Sequence, residues 1–330
     1  MRVGFFLSNK GGSPLEVGLR RGLAHLGHCV EDVHRGTGYD LILVFNQCAH
    51  TTDYAYPEFP KGSTPMAFVD TAEYGYFKRL SDVIENFKTA FSEGSKNHDT
   101  KNHHQQTRLQ QFMEGKSFPY FLREHFKQVT FPACYYPIDY PLYLHSECRD
   151  RPNREEYLRR KLDLFVSWGA SHPWRINITK ALRECPARSE ISIIEENGHV
   201  RIHQPTYLQK TRSAKCSVSF DGYGSGSFRV TEVVVRCLLL IGPMSIRLRE
   251  PLIDGVHCVQ YDVTSNGRDF ISTNIKDKLK EALDDQERSF RIHEAGYNHC
   301  MEHYTETATA RYVLATVASH DWSKPTPLTF

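Results

Sequence analysis

The chain has 330 residues, 40% hydrophobic and 24% charged, a profile that suits a globular protein of two domains, each with its own core. A net charge of only +2 sets up no global field for a polyanion, so any nucleic-acid contact would fall to local patches. No apolar run approaches the roughly 20 residues that span a bilayer, which predicts no integral membrane contact. Nine scattered cysteines without a Cys-x-x-Cys pair predict a reduced, cytoplasmic chain.

Arg2 to Leu7 is an apolar strand, followed by the glycine-bearing loop Ser8 to Pro14. Pro14 opens a helix with Leu15, Val17, Leu19, Leu23 and Leu26 on a broad apolar face. Cys29 to Val33, Leu41 to Phe45 and Met66 to Val69 are further strands, the last ending at Asp70. Strands apolar on both faces and alternating with helices predict a parallel sheet in a doubly wound α/β domain. Ligands of such sheets bind beyond the strands' carboxyl ends, where Gly11, Gly12, Asn46 and Asp70 fall. A carboxylate placed there can act as a general base or accept a sugar hydroxyl. Asp70 and Glu73 fit equally well as the N-cap and closing residue of a capping box.

Residues 88–127 change character, with cations in excess of anions and the polar run Asn97 to Gln106. The segment reads as an inserted surface loop with a helix near Thr107–Met113; it is either solvated or a basic face for an anionic acceptor. The aromatic, proline-punctuated run Phe131 to Pro141 reads as a crossing between domains. The charged run Glu147 to Arg160 then divides an amino-terminal domain, 1–150, from a carboxyl-terminal one, 151–330.

The second domain opens with the strand Leu162 to Ser167, which runs into Trp168 to Arg175 and a helix over 175–183. A strand at Ile191 to Ile194, a helix over Tyr207 to Lys215 and a strand at Cys216 to Ser219 follow. Gly222, Gly224 and Gly226 then permit positive φ and close approach of a ligand to the backbone. Ser227 is a suitable N-cap for a helix beginning at Phe228, whose free N–H groups would attract an anion. Arg229 in the first turn opposes the helix dipole, and Glu232 sits in an otherwise apolar helix. A phosphate-bearing ligand with a polar ribose would satisfy both residues; so would a pairing of the two with each other at i, i+3. Beyond the strand Leu238 to Ile241 come the turn at Asp254 to Cys258 and helices near 275–289, 290–303 and 305–319. His299 and His303 share a helical face, but no third ligand accompanies them, so no metal site is expected.

In order along the chain stand Ser167-Trp168-Gly169 with Arg175, the segment Tyr207 to Lys215, and Gly226-Ser227-Phe228-Arg229 with Glu232. Asp254 to Cys258, Arg291 with Glu294 to Gly296, His303 to Thr305 and Ala310 to Tyr312 complete the set. Together they resemble the carboxyl half of GT-B glycosyltransferases, particularly the group-1-like proteins akin to spore-maturation CgeB. The resemblance implies two Rossmann-like doubly wound domains facing a cleft, with the last helix packing back on the first domain. It implies a hexosyltransferase that takes a nucleotide-sugar, a UDP-sugar foremost, as substrate and needs no other cofactor. Glu232 matches the acid that binds the nucleotide ribose. Arg175 and the segment with Gly222, Gly224, Gly226, Ser227 and Arg229 match positions around the diphosphate. Gly11 and Gly12 form a possible second donor loop, and Asp70 and Glu73 are the catalytic candidates opposite. No Asp-x-Asp motif is present, which fits a metal-independent mechanism. Gly224 stands where many retaining members carry a glutamate, so the anomeric outcome is left open. The expected acceptor is a saccharide or small molecule; hydroxymethylated DNA and a non-catalytic nucleotide-sugar binder are the alternatives.

Overall fold

The fold is described over residues 1–6, 13–33, 38–46, 64–70, 115–123, 125, 127, 130–142, 150–169, 173–194, 202–219, 229–244, 246–265, 270–272 and 274–327 in a computed structural model. The chain divides into two compact units: Met1–Pro141 with Ser245–Arg249 and Glu306–Phe330, and Leu142–Met244 with Glu250–Thr305.

The first unit holds β1 (Arg2–Phe6), α1 (Pro14–His25), β2 (Cys29–Asp32), β3 (Leu41–Asn46), β4 (Met66–Asp70), β5 (Tyr120–Leu122) and β6 (Tyr135–Pro137). The strands form one parallel sheet in the order β2-β1-β3-β4-β5-β6. Leu41 to Phe45 are all buried, as a strand covered on both faces requires. Ser13 caps α1 by accepting a 3.2 Å hydrogen bond from the Glu16 N–H, and Pro14 sits where no helical donor is needed. Leu15, Leu19 and Leu23 of α1 then pack on Val3, Phe5, Leu43 and Phe45.

Two features depart from the sequence reading. The charged window 88–127 was expected to be surface, yet its end holds Phe118 and β5, buried in the sheet. The aromatic crossing also supplies a strand, β6, whose Tyr135 stacks on Tyr120 with ring centroids 4.5 Å apart. In both cases a short apolar run is masked by charged or proline-rich neighbours. Residues 88–114, with the expected helix near Thr107–Met113, lie outside the described residues.

The second unit holds α2 (Arg154–Arg159), β7 (Leu162–Gly169), α3 (Pro173–Arg183), β8 (Ser189–Ile194), α4 (Gln204–Ser213) and β9 (Ala214–Ser219). It continues with α5 (Arg229–Val234), β10 (Leu238–Ile241), β11 (Val259–Gln260), β12 (Val263–Ser265), β13 (Phe270–Ser272), α6 (Ile275–Asp284) and α7 (Gln286–His303). Its parallel sheet runs β11-β10-β9-β7-β8, and β12 and β13 form a separate antiparallel pair. Leu164, Val166, Trp168, Cys216, Val218, Leu238 and Leu240 meet Ile178, Leu182, Leu279 and Ile292 in its core.

Several boundaries shift. The helix expected over 207–215 ends at Ser213, because Lys215 already belongs to β9 and is drawn to Asp163 of β7, 3.3 Å away. The break expected near 289 falls at Asp285, whose side chain caps α7 by accepting from the Arg288 N–H at 2.9 Å. The helix expected from Phe228 is the six-residue α5, too short for its dipole to carry much weight.

The last helix, α8 (Glu306–Ser319), belongs to the first unit, where Ala310 and Val313 enter the core beside α1. The contact is close: a Cβ added at Gly22 would lie 2.0 Å from the Glu306 carbonyl oxygen. The tail beyond α8 is fastened to the strand region, Thr326 Oγ1 accepting from the Phe118 N–H at 2.9 Å. Among the described residues no helix is long and apolar enough to cross a membrane.

Candidate functional site

The strand order of the second unit creates one switch point. The chain runs from β7 to β8 on one side and then returns to β9 on the other. The carboxyl ends of the neighbouring strands β7 and β9 mark that reversal, the usual place for a ligand in an open α/β sheet. The segment after β7 leads to Arg175 at the start of α3, and the one after β9 leads to Arg229 at the start of α5. The segment after β8 leads to α4, whose first turn holds Gln204. Three helix starts thus follow the same sheet edge.

Arg175 is buried, with its guanidinium 5.6 Å from the centroid of the Trp168 ring. Thr179 bolts this corner, donating from Oγ1 to the Arg175 carbonyl at 2.7 Å and accepting from the Trp168 Nε1–H at 3.0 Å. Trp168 lies near the end of β7 in the core, so the position of Arg175 is tied to the sheet rather than to a loop.

Glu232 is 7% exposed. Gln204 Nε2 donates to its Oε1 at 3.4 Å, while its Oε2 is buried with no hydrogen-bond partner among the described residues. Burial pushes the carboxyl above its ordinary range; the nearby positive charges of Arg236 and Arg229 oppose that rise. Both arginines act on the carboxylate through their charge, without a hydrogen bond to it among the described residues. Arg229 lies over Tyr207, 5.4 Å from its ring centroid. Arg236 donates from Nη1 to the Glu232 carbonyl at 2.7 Å, which anchors the backbone of α5. A buried acceptor oxygen beside two cations is a place where a ligand hydroxyl and an anionic group can be met together.

Asp70 ends β4, completely buried, and accepts a 2.9 Å hydrogen bond from the Tyr120 hydroxyl. The other nominated positions, Gly11, Gly12, Glu73, Gly222, Gly224, Gly226 and Ser227, lie outside the described residues. Among the described residues no group of three or more His, Cys, Asp or Glu is placed to hold a metal ion. His299 instead stacks on His257 at 4.2 Å and meets His303 at 4.7 Å. Gln204 was not singled out from the sequence, and Tyr207 entered only as part of a helix. The one local hint was Pro205, which marks a helix start at the sheet's carboxyl edge.

No protein-family model matches the chain, and no curated protein matches it significantly. Solved structures do. The chain is similar to HepE from Anabaena in complex with UDP-glucose, with a TM-score of 0.53 and 10% identity over 97% of this chain and 100% of that one. The same protein in complex with UDP and glucose gives a TM-score of 0.51 at 10% identity over the same shares. A UDP-forming trehalose-phosphate synthase from Burkholderia xenovorans gives 0.48 at 10% identity, covering 96% of this chain and 100% of that one. Likeness at this level of identity speaks to fold: two parallel-sheet α/β units, the fold of the GT-B glycosyltransferases.

Proposed function

We propose that the protein is a glycosyltransferase that takes its sugar from a nucleotide-sugar, a UDP-sugar foremost. The observation that carries the reading is Glu232, a carboxylate buried beside Arg229 and Arg236 with one oxygen unpartnered among the described residues. Such an oxygen is costly to bury unless something donates to it, and a ribose hydroxyl would. The solved complex of HepE with UDP-glucose supports the choice of nucleotide.

In this reading Glu232 accepts from the ribose, and Arg175 and Arg229 face the diphosphate. As the glycosidic bond breaks, negative charge gathers on the departing phosphate oxygens. Guanidinium groups already held in place stabilise that charge without reorganising, and no metal ion is then required. Arg175 is suited to this by its anchorage through Trp168 and Thr179. Asp70 is assigned a structural role, since its carboxylate is shut away from solvent and bonded to Tyr120. The acceptor in this reading is a saccharide or a small molecule. A DNA acceptor drew on the basic segment 88–127, most of which lies outside the described residues.

The test is calorimetric titration of the full chain with UDP, UDP-sugars and the other nucleoside diphosphates, followed by assay of UDP release. Binding of one nucleotide family, weakened about 10- to 100-fold in Glu232→Ala and in Arg229→Ala, is expected for lost charge-assisted hydrogen bonds. A well-folded sample that binds no nucleotide would overturn the reading.

A further inference from the structure

Two residues three apart on α4 meet two residues three apart on α5. Gln204 reaches Glu232, and Tyr207 lies under Arg229. Positions i and i+3 share one face of a helix, so the two contacts form a matched pair between neighbouring helices rather than two accidents. The two members of α4 differ in kind. Tyr207 is buried, packed against Phe165 at 5.8 Å, and offers Arg229 a fixed aromatic floor. Gln204 sits at the exposed first turn and touches only one of the two carboxylate oxygens of Glu232.

We infer that Gln204 and Tyr207 are positioning residues of the donor site with separable duties. The inference rests on the glycosyltransferase reading above. By occupying Oε1, Gln204 fixes the carboxylate so that Oε2, which is buried and has no partner among the described residues, is the atom offered to a ribose hydroxyl. By stacking under the guanidinium, Tyr207 holds Arg229 where it meets the diphosphate. A carboxylate and a guanidinium on a six-residue helix depend on neighbouring elements to hold them. Fixing each group beforehand removes an entropic cost that binding would otherwise meet.

The experiment compares UDP, 2′-deoxy-UDP, 3′-deoxy-UDP and uridine on the full chain by calorimetry. The variants are Gln204→Ala, Tyr207→Phe and Tyr207→Leu, each checked for a wild-type melting profile. Gln204→Ala is expected to bring the preference for UDP over at least one of the two deoxy nucleotides about tenfold closer to unity, the loss of about one hydrogen bond. It should leave the UDP-to-uridine ratio unchanged. Tyr207→Leu is expected to do the reverse, shrinking the UDP-to-uridine ratio about tenfold while keeping the ribose preference. Tyr207→Phe, which keeps the ring, should bind as wild type does. If Tyr207→Leu fails to fold, Tyr207→Met, which also removes the ring while keeping an apolar side chain of similar length, should reproduce its effect. An unchanged ribose preference in Gln204→Ala overturns the duty assigned to Gln204. Equal weakening of UDP and uridine in Tyr207→Leu, or a Tyr207→Phe variant as weak as Tyr207→Leu, overturns that of Tyr207. A wild-type chain that binds none of the four ligands overturns the donor reading itself, and this inference with it.

Discussion

The hydroxyl of Tyr120 donates a 2.9 Å hydrogen bond to Oδ2 of Asp70, and both side chains are cut off from water. The tyrosine ring is held from two sides, by Tyr135 at 4.5 Å and Phe68 at 4.6 Å between centroids. Its hydroxyl therefore has little freedom to point elsewhere. Tyr120→Phe keeps the stacking and removes one donor from a buried carboxylate, a loss of about 1–3 kcal/mol. Urea unfolding measures it. Because Asp70 is taken as structural, nucleotide binding should survive the substitution; selective loss of transfer activity with unchanged stability would instead favour a catalytic Asp70.

Acid should weaken the fold through its histidines. Burial holds His293 down to about 3, with Arg160 adding to the effect, and its ring is hydrogen-bonded to the Val234 carbonyl at 3.1 Å. Burial, then the charge of Arg247, lowers His125 to about 4. Both groups resist protonation when folded but accept it freely near pH 6.5 when unfolded. Their neutral forms are thus fully compatible with the fold above pH 6.5. Stability is then lost as pH falls from 6.5 toward 4 and 3, at up to about 1.4 kcal/mol per pH unit for each group. Urea midpoints taken from pH 7.5 to 4.5 should fall along this course, and less steeply in His293→Gln. A flat profile would contradict the assignment.

Two glycines mark backbone contacts that leave no room for a methyl group. At Gly22 a Cβ would lie 2.0 Å from the Glu306 carbonyl oxygen, and at Gly296 it would lie 2.4 Å from that of His257. Backbone atoms cannot swing aside as a side chain can. Gly22→Ala and Gly296→Ala should each cost about 1–3 kcal/mol from overpacking, although alanine favours the helix locally. Gly27, with φ of +81° and open space around its Cβ position, is the control in which only the strained backbone acts. Thermal melts of the three alanine variants rank the effects. Wild-type stability in Gly22→Ala or in Gly296→Ala would refute the close approach at that position.

Asp163 ties β7 to its surroundings by accepting from Arg188, at 3.0 Å from Nε and 2.9 Å from Nη2, with Lys215 at 3.3 Å. Burial alone would raise its pKa, but the Arg188 side chain and N–H and the Lys215 ammonium outweigh it and hold the carboxyl below the ordinary range. Folding therefore favours the ionised form, so the stabilisation is present above about pH 4 and fades as pH falls through the depressed value. Asp163→Asn should lose about 1–2 kcal/mol at pH 7, a discounted figure because Arg188 is largely exposed. The gap to wild type should narrow as the pH drops below 4. Parallel urea titrations at pH 7 and 3 measure it.

The parallel α/β character was legible wherever a strand is apolar on both faces, as in Leu41 to Phe45 and Leu238 to Ile241. Strands β5 and β6 were not, because three residues carry too little pattern to stand out among charges and prolines. Only their pairing beside β4 makes them strands. The same holds at the site. Glu232 stood out as an acid in a run of valines, a local contrast that a reader of the chain can see. Gln204 is an ordinary exposed amide whose role comes from a carboxylate 28 residues away, and no local pattern encodes that. The burial of Arg175 was hidden for a similar reason, since its aromatic partner belongs to the preceding strand.

The placement of α8 bears on the order in which the protein can be built. Its Ala310 and Val313 fill the core of the unit that holds β1, and Thr326 secures the segment leading into β5. The ribosome releases these residues after every strand of that sheet. The amino-terminal sheet, which leaves the exit tunnel well before them, must wait with an uncovered apolar face until α8 emerges. The second unit, whose residues all precede Glu306, is free to close before it.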